Sequence, residues 1–151
     1  MELGTGTRGT RALRLAIAAL LVLVMGSTLT ACQSSEQARV AELVNQTRAQ
    51  YGRSALRDNL QLDQKAQAWA EHLARYNTLA HSNLPSGITY QWRSLAENVG
   101  YGGSVAAIED AYMASAGHRA NILSTKWNGV GVGYARNGNR VYTVQVFIKT
   151  C

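Results

Sequence analysis

The pattern that most constrains this chain lies near its C-terminus. Gly129-Val130-Gly131-Val132-Gly133-Tyr134 alternates glycine with larger residues. Asn137-Gly138 marks a tight turn, and Val141-Tyr142-Thr143-Val144-Gln145-Val146-Phe147 alternates again. Two alternating runs about a turn dipeptide specify a β-hairpin. Side chains alternate across a strand, so the three glycines share one face, where a helix can approach the backbone closely. Helical patterns precede the hairpin. Helices followed by a terminal hairpin predict an α+β domain, with helices over a small antiparallel sheet.

The helical segments follow from apolar spacing. Ser34 and Gln37 form a capping-box pattern for a helix over 36–51. Val40, Leu43, Val44, Thr47 and Tyr51 make its expected buried face, and Gly52 ends it. A connector follows, in which Leu56, Leu60 and Leu62 are expected to anchor in the core. The second helix is expected over 63–78, with Asp63 at its start and Leu62, Ala66, Trp69, Leu73 and Tyr76 on one stripe. His72 lies about 60° from Trp69, at the stripe's edge, and reads as a boundary residue. Ser104 caps a third helix, 104–115, and a short helix starts at His118.

The N-terminus calls for a different reading. Arg8, Arg11 and Arg14 precede an uncharged apolar run, Leu15 to Met25, too short to span a bilayer as a mature helix. Leu29-Thr30-Ala31-Cys32 then resembles the lipobox of bacterial lipoproteins. That resemblance implies cleavage before Cys32 and lipidation of Cys32. An ordinary secretory signal cleaved near Ala31 is the alternative. The expected organisation is a signal peptide over 1–31, an acylated cysteine and polar tether over 32–37, and a single domain over 38–151. Several acyl chains would hold such a domain at a membrane. With Gln33 after the cysteine, resemblance to lipoprotein sorting favours the outer membrane of a two-membrane bacterium. The expected location is the extracytoplasmic cell envelope.

Composition narrows the partners. The chain has 151 residues and a net charge of +6, and removing residues 1–31 takes away three arginines and one glutamate, leaving +4. The remaining basic residues are scattered, without the clustered stripe that nucleic-acid binding needs. Of the two cysteines, Cys32 is expected to carry lipid, so Cys151 has no partner within the chain. A domain of about 120 residues buries roughly two-thirds of its unfolded surface, enough to stand without a disulfide, and a monomeric domain is expected.

Three side chains stand out as chemistry-bearing. Glu97 lies in Leu95-Ala96-Glu97-Asn98-Val99-Gly100-Tyr101-Gly102, a strand end running into a glycine-rich turn. His81 precedes it in Ala80-His81-Ser82-Asn83, and His118 follows in Gly117-His118-Arg119. Two imidazoles and a carboxylate suit Zn²⁺ or another divalent cation. The same three could act without metal, as an acid–base pair oriented by Glu97.

Five segments occur in a fixed order: Ala80-His81-Ser82, Ala96-Glu97-Asn98-Val99, Gly117-His118-Arg119-Ala120-Asn121-Ile122-Leu123, Gly129 to Gly133, and Tyr142 to Phe147. Together they resemble the CAP superfamily, which groups cysteine-rich secretory, antigen 5 and pathogenesis-related 1 proteins, in its bacterial SCP-domain branch. The resemblance covers nearly all of 36–148. It implies an α-β-α sandwich with a central cleft that carries two histidines and two acids and binds a divalent cation in several members. His81, Glu97 and His118 match that set. The second acid does not: three residues beyond the aromatic Tyr112 stands Ser115. Glu109 lies about 120° from Ser115 on an ideal helix and is not an easy substitute. The expected functions are a metal- or small-ligand-binding cleft, with Glu97, His81 and His118 also the candidate catalytic residues of a metal-assisted hydrolase on peptide or cell-wall material. A lipid- or sterol-binding or adhesive module without catalysis is the alternative.

Overall fold

A computed structural model describes residues 33–151. The signal segment and Cys32 lie outside the described residues. The elements run α1 (Ser35–Gln50), β1 (Arg57–Asp58), α2 (Leu60–Tyr76), β2 (Trp92–Gly102), α3 (Val105–Ala114), α4 (Ala116–Leu123), β3 (Gly129–Asn137) and β4 (Arg140–Thr150).

The strands form one sheet in the order β1-β3-β4-β2. The hairpin pairs antiparallel from Gly129↔Ile148 to Asn137↔Arg140, and β2 pairs antiparallel with β4 over its length. The sheet is mixed rather than purely antiparallel, because β1, two residues from the connector between α1 and α2, adds parallel to β3. The turn also differs in register from the Asn-Gly reading. Its central residues are Gly138 and Asn139, and only Gly138 has positive φ, 57°. Glycine at the first central position is the habit of a type II′ turn, whose twist matches the flanking strands.

Helices cover both faces, so the sandwich expectation holds. On one face, Leu62, Ala66, Ala70, Leu73 and Ala74 of α2 pack with Val99, Tyr142, Val144, Val146 and Ile148. On the other, α1, α3 and α4 supply Val40, Val44, Ile108, Tyr112 and Ile122 against Val130, Val132, Val141 and Phe147. The hairpin glycines face α2. A Cβ at Gly131 would stand 2.2 Å from Leu62 Cβ, and one at Gly133 would stand 2.1 Å from the Ala66 carbonyl oxygen. Glycine is what lets α2 lie directly on the strand.

Beyond β1, the outer edge of β3 is closed by side chains. Asp63 Oδ1 accepts from Val132 N at 2.8 Å, and Gln37 Nε2 donates to the Val132 carbonyl at 2.7 Å. Gln67 accepts from Tyr134 N at 2.9 Å and donates to its carbonyl at 2.8 Å. These contacts explain two departures from expectation. Asp63 sits inside the first turn of α2, whose N-cap is Asn59, because its carboxylate is committed to β3. Gln37 completes only half of a capping box: Ser34 Oγ accepts from Gln37 N, while the Gln37 side chain goes to the strand.

Several expected core positions are exposed. Leu60, Tyr51 and Tyr76 stand at helix ends, beyond the reach of the sheet, and the buried stripe of α2 runs through alanines. Arg48 is instead buried in α1, its guanidinium donating to the carbonyls of Ser54, Ile122 and Ser124. The run expected as a tether is also largely folded. Gln33 Nε2 donates to Asp63 Oδ2 at 2.9 Å, and α1 begins at Ser35.

Candidate functional site

Strand alternation along β2 sets the site. Leu95, Glu97 and Val99 point to the α2 face, while Asn98 and Gly100 point to the α3–α4 face. Glu97 meets the segment between α2 and β2. His81 Nδ1 donates to Glu97 Oε1 at 2.8 Å, Ser82 N donates to the same oxygen at 2.9 Å, and Ser82 Oγ donates to Oε2 at 2.6 Å. Only 2% of the Glu97 side chain is exposed, against 63% of His81. The buried carboxylate is thus satisfied by three donors, and the imidazole is its open end. With Nδ1 protonated toward Glu97, a neutral His81 presents Nε2 outward as its free nitrogen.

Trp69 and Lys65 hold this segment against α2. Trp69 Nε1 donates to the Ala80 carbonyl at 2.9 Å, and Lys65 Nζ donates to the carbonyls of Asn83 and Ser86, each at 2.9 Å. His72 stays out of the site. It stacks on Trp69, with centroids 4.5 Å apart and planes 8° apart.

His118 comes from α4, where it is the third residue rather than the first. Its ring packs at 53° on Tyr112, 5.0 Å between centroids. Tyr112 is fixed by its hydroxyl, which donates to the Thr143 carbonyl at 3.0 Å. Gly100 makes room for that ring, since a Cβ there would lie 2.8 Å from Tyr112 Cε1. Partial burial, and then the positive charge His81 can carry, hold the His118 pKa below its ordinary value. Both effects favour the neutral ring.

The structure therefore joins His81 to Glu97 directly and seats His118 on the α3–α4 face, with its ring on Tyr112 and its carbonyl on Asn98. Among the described residues, no three His, Cys, Asp or Glu side chains are grouped so as to hold a metal ion. Glu97 holds the His81 ring from behind and fixes its orientation. Ser115 joins α3 to α4 and makes no side-chain cap for α4.

Glu109 is far from an accessible second acid. It is buried, with Oε2 accepting from Gln145 Nε2 at 2.8 Å and Oε1 without a hydrogen-bond partner. Burial raises its pKa, partly offset by Thr47 and Gln145. Gln145 Oε1 in turn accepts from Asn98 Nδ2 at 3.0 Å. Asn98 also donates to the His118 carbonyl at 3.2 Å and accepts from Asn121 Nδ2 at 2.9 Å. This relay seats α4, and with it His118. Sequence reasoning gave Ser82, Asn98 and Gln145 no role, although all three lie inside the segments that carried the resemblance.

The profile of the cysteine-rich secretory protein (CAP) family matches residues 41–148. The chain belongs to that family. The Bacillus subtilis (strain 168) protein YkwD is 28% identical over an alignment of 135 residues that covers 82% of this chain and 52% of YkwD. The chain thus spans about half the length of that relative. An extracellular SCP-domain protein of Bacillus anthracis str. Ames superposes with a TM-score of 0.67 at 21% identity, covering 76% of this chain and 40% of that one. An outer surface protein of Borrelia burgdorferi gives a TM-score of 0.67 at 18% identity, covering 80% of this chain and 97% of that one. At these identities the two structures establish the CAP fold.

Proposed function

We propose that this CAP domain is an extracytoplasmic, lipid-anchored module that binds a divalent cation such as Zn²⁺ through His81 and His118. The observation that carries the reading is the triple capping of Glu97 by His81 and Ser82, which leaves the outer nitrogen of His81 free. Glu97 fixes the ring and its tautomer, the burial of His118 favours its neutral donor form, and the Asn98 relay sets the position of α4. A bound cation would supply Lewis acidity to a water or ligand oxygen.

Calorimetric titration of Zn²⁺ into residues 33–151 tests this directly. Wild type is expected to take up one ion, and His81→Ala and His118→Ala each to lose that uptake. Glu97→Gln should weaken it by about 10–100-fold, the usual cost of removing an outer carboxylate. Absence of uptake by wild type would reject the metal site.

The anchor reading rests on the lipobox-like run before Cys32, and relatives described as extracellular and outer surface proteins agree with it in location. Lipid on Cys32 would leave almost no spacer, since Gln33 is already bonded to α2. Cys32→Ser is expected to abolish incorporation of labelled fatty acid in cells. Label retained by that variant would rule out acylation at this position.

A further inference from the structure

A pocket lies where the C-terminus of α2 meets the β3–β4 turn and the end of β2. Its volume is about 530 Å³, and it is lined by Asn77, Tyr101, Asn137, Asn139 and Arg140 among others. Tyr101 is four residues from Glu97 on the same face of β2, so the pocket lies roughly 13 Å from the His81–Glu97 pair at strand spacing.

Its polar groups are held before any ligand arrives. Asn77 caps α2 in the left-handed conformation, φ 48°. Its Oδ1 accepts from Arg140 at 2.8 Å and from the Tyr142 hydroxyl at 2.6 Å. The Arg140 guanidinium lies 4.4 Å over the Tyr101 ring, and that ring packs on Tyr142 at 5.9 Å. A guanidinium fixed by an asparagine and an aromatic ring loses little freedom when it binds. One of its donors is committed to Asn77. No carboxylate lines the pocket, so the cation is uncompensated by its neighbours there. The lining also lacks aliphatic side chains, and it carries three asparagine amides.

We propose that this pocket binds a carboxylate-bearing saccharide. Arg140 takes the carboxylate in a two-point contact, as its planar fork suits. The amides of Asn77 and Asn139 bond hydroxyl or acetamido groups, and the half-exposed Tyr101 side chain offers an apolar edge against the sugar. The volume falls in the range of small-ligand sites, enough for one or two sugar rings. A peptide carboxylate is the weaker match, since nothing in the lining offers an apolar subsite for a side chain.

The test uses N-acetylmuramic acid and N-acetylglucosamine, which differ by the 3-O-lactyl ether group that carries the carboxylate, with free lactate as a third probe. Titrations followed by amide NMR should shift Tyr101, Gly102, Asn139 and Arg140 resonances with N-acetylmuramic acid. Affinity for N-acetylglucosamine should be at least tenfold weaker. Arg140→Gln should remove the preference between the two sugars. Asn139→Asp, a turn substitution that places a negative charge in the pocket, should abolish acid-sugar binding with the fold intact. Equal binding of both sugars, or N-acetylmuramic acid binding unchanged in Asn139→Asp, would overturn the carboxylate contact. Lactate binding as tightly as the acid sugar would overturn the saccharide. A chelator should change none of these shifts, which separates this site from the metal reading.

Discussion

On the α2 side of the sheet, contact is made by bare backbone: Gly131 and Gly133 lie against Leu62 and Ala66 with no room for a methyl group. On the α3–α4 side, contact near the site is made by buried amides and a carboxyl group, Asn98, Gln145 and Glu109. The first device is steric and tolerates no added atom. The second is directional and tolerates no lost partner. Strand β2 belongs to both. Glu97 turns toward the α2 side and positions His81, and Asn98, one residue later, turns the other way and positions α4 with His118. One strand thereby sets two imidazoles that come from elements far apart in the chain.

The contrast can be broken most severely on the steric side. Gly131→Ala is expected to cost about 3 kcal/mol, because the new Cβ meets Leu62 backbone as well as its side chain, and overpacking against backbone has no soft escape. Chemical denaturation measures it, and a loss below 1 kcal/mol would show that α2 can lift away freely. On the directional side, Asn98→Leu keeps the volume but strands Gln145 Oε1, the His118 carbonyl and the Asn121 amide. A loss of about 2 kcal/mol is expected from these unmet groups. Unlike the glycine change, it should also alter the His118 imidazole resonances in NMR spectra.

The smallest effect sharpens the comparison through pH. Burial raises the Glu109 pKa in the folded protein above its ordinary 4.5, so the folded state holds this proton more tightly than the unfolded chain. Stability therefore falls as pH rises from about 4.5 through the folded-state value, and the whole penalty is present above that value. Glu109→Gln retains an oxygen acceptor for Gln145 and removes the ionisation. Relative to wild type, it should be neutral below the window, increasingly stabilising through it, and stabilising by a constant amount above it. A difference in melting temperature that does not vary between pH 4 and 8 would contradict this account.

The long periodic elements were legible in the sequence because their spacing is local. The hairpin, the Ser34 and Ser104 caps and the order of the helices are local features of that kind. Strand β1 was not legible, since two residues carry no period and its pairing depends on β3 more than 70 residues later. Apolar spacing also overreached at Tyr51, Leu60 and Tyr76. A helical stripe says which side chains share a face, not how far the neighbouring sheet extends beneath them. At the site, the order of segments singled out His81, Glu97 and His118. The roles of Ser82, Asn98 and Gln145 depend on partners 15 to 47 residues away and on which face of β2 each residue takes. Arg48 shows the same limit, as a charged residue buried by carbonyls from α4 and the residue after it.

The side chains along the outer edge of β3 carry one more consequence. An open strand edge is a template onto which another chain can add. Here the free amide and carbonyl groups of Val132 and Tyr134 are already taken by Gln37, Asp63 and Gln67. A strand from a neighbouring molecule would have to evict three side chains, one of them a buried carboxylate, before finding a first bonding partner. The same contacts that seat α1 and α2 thus protect this edge of the sheet against strand addition.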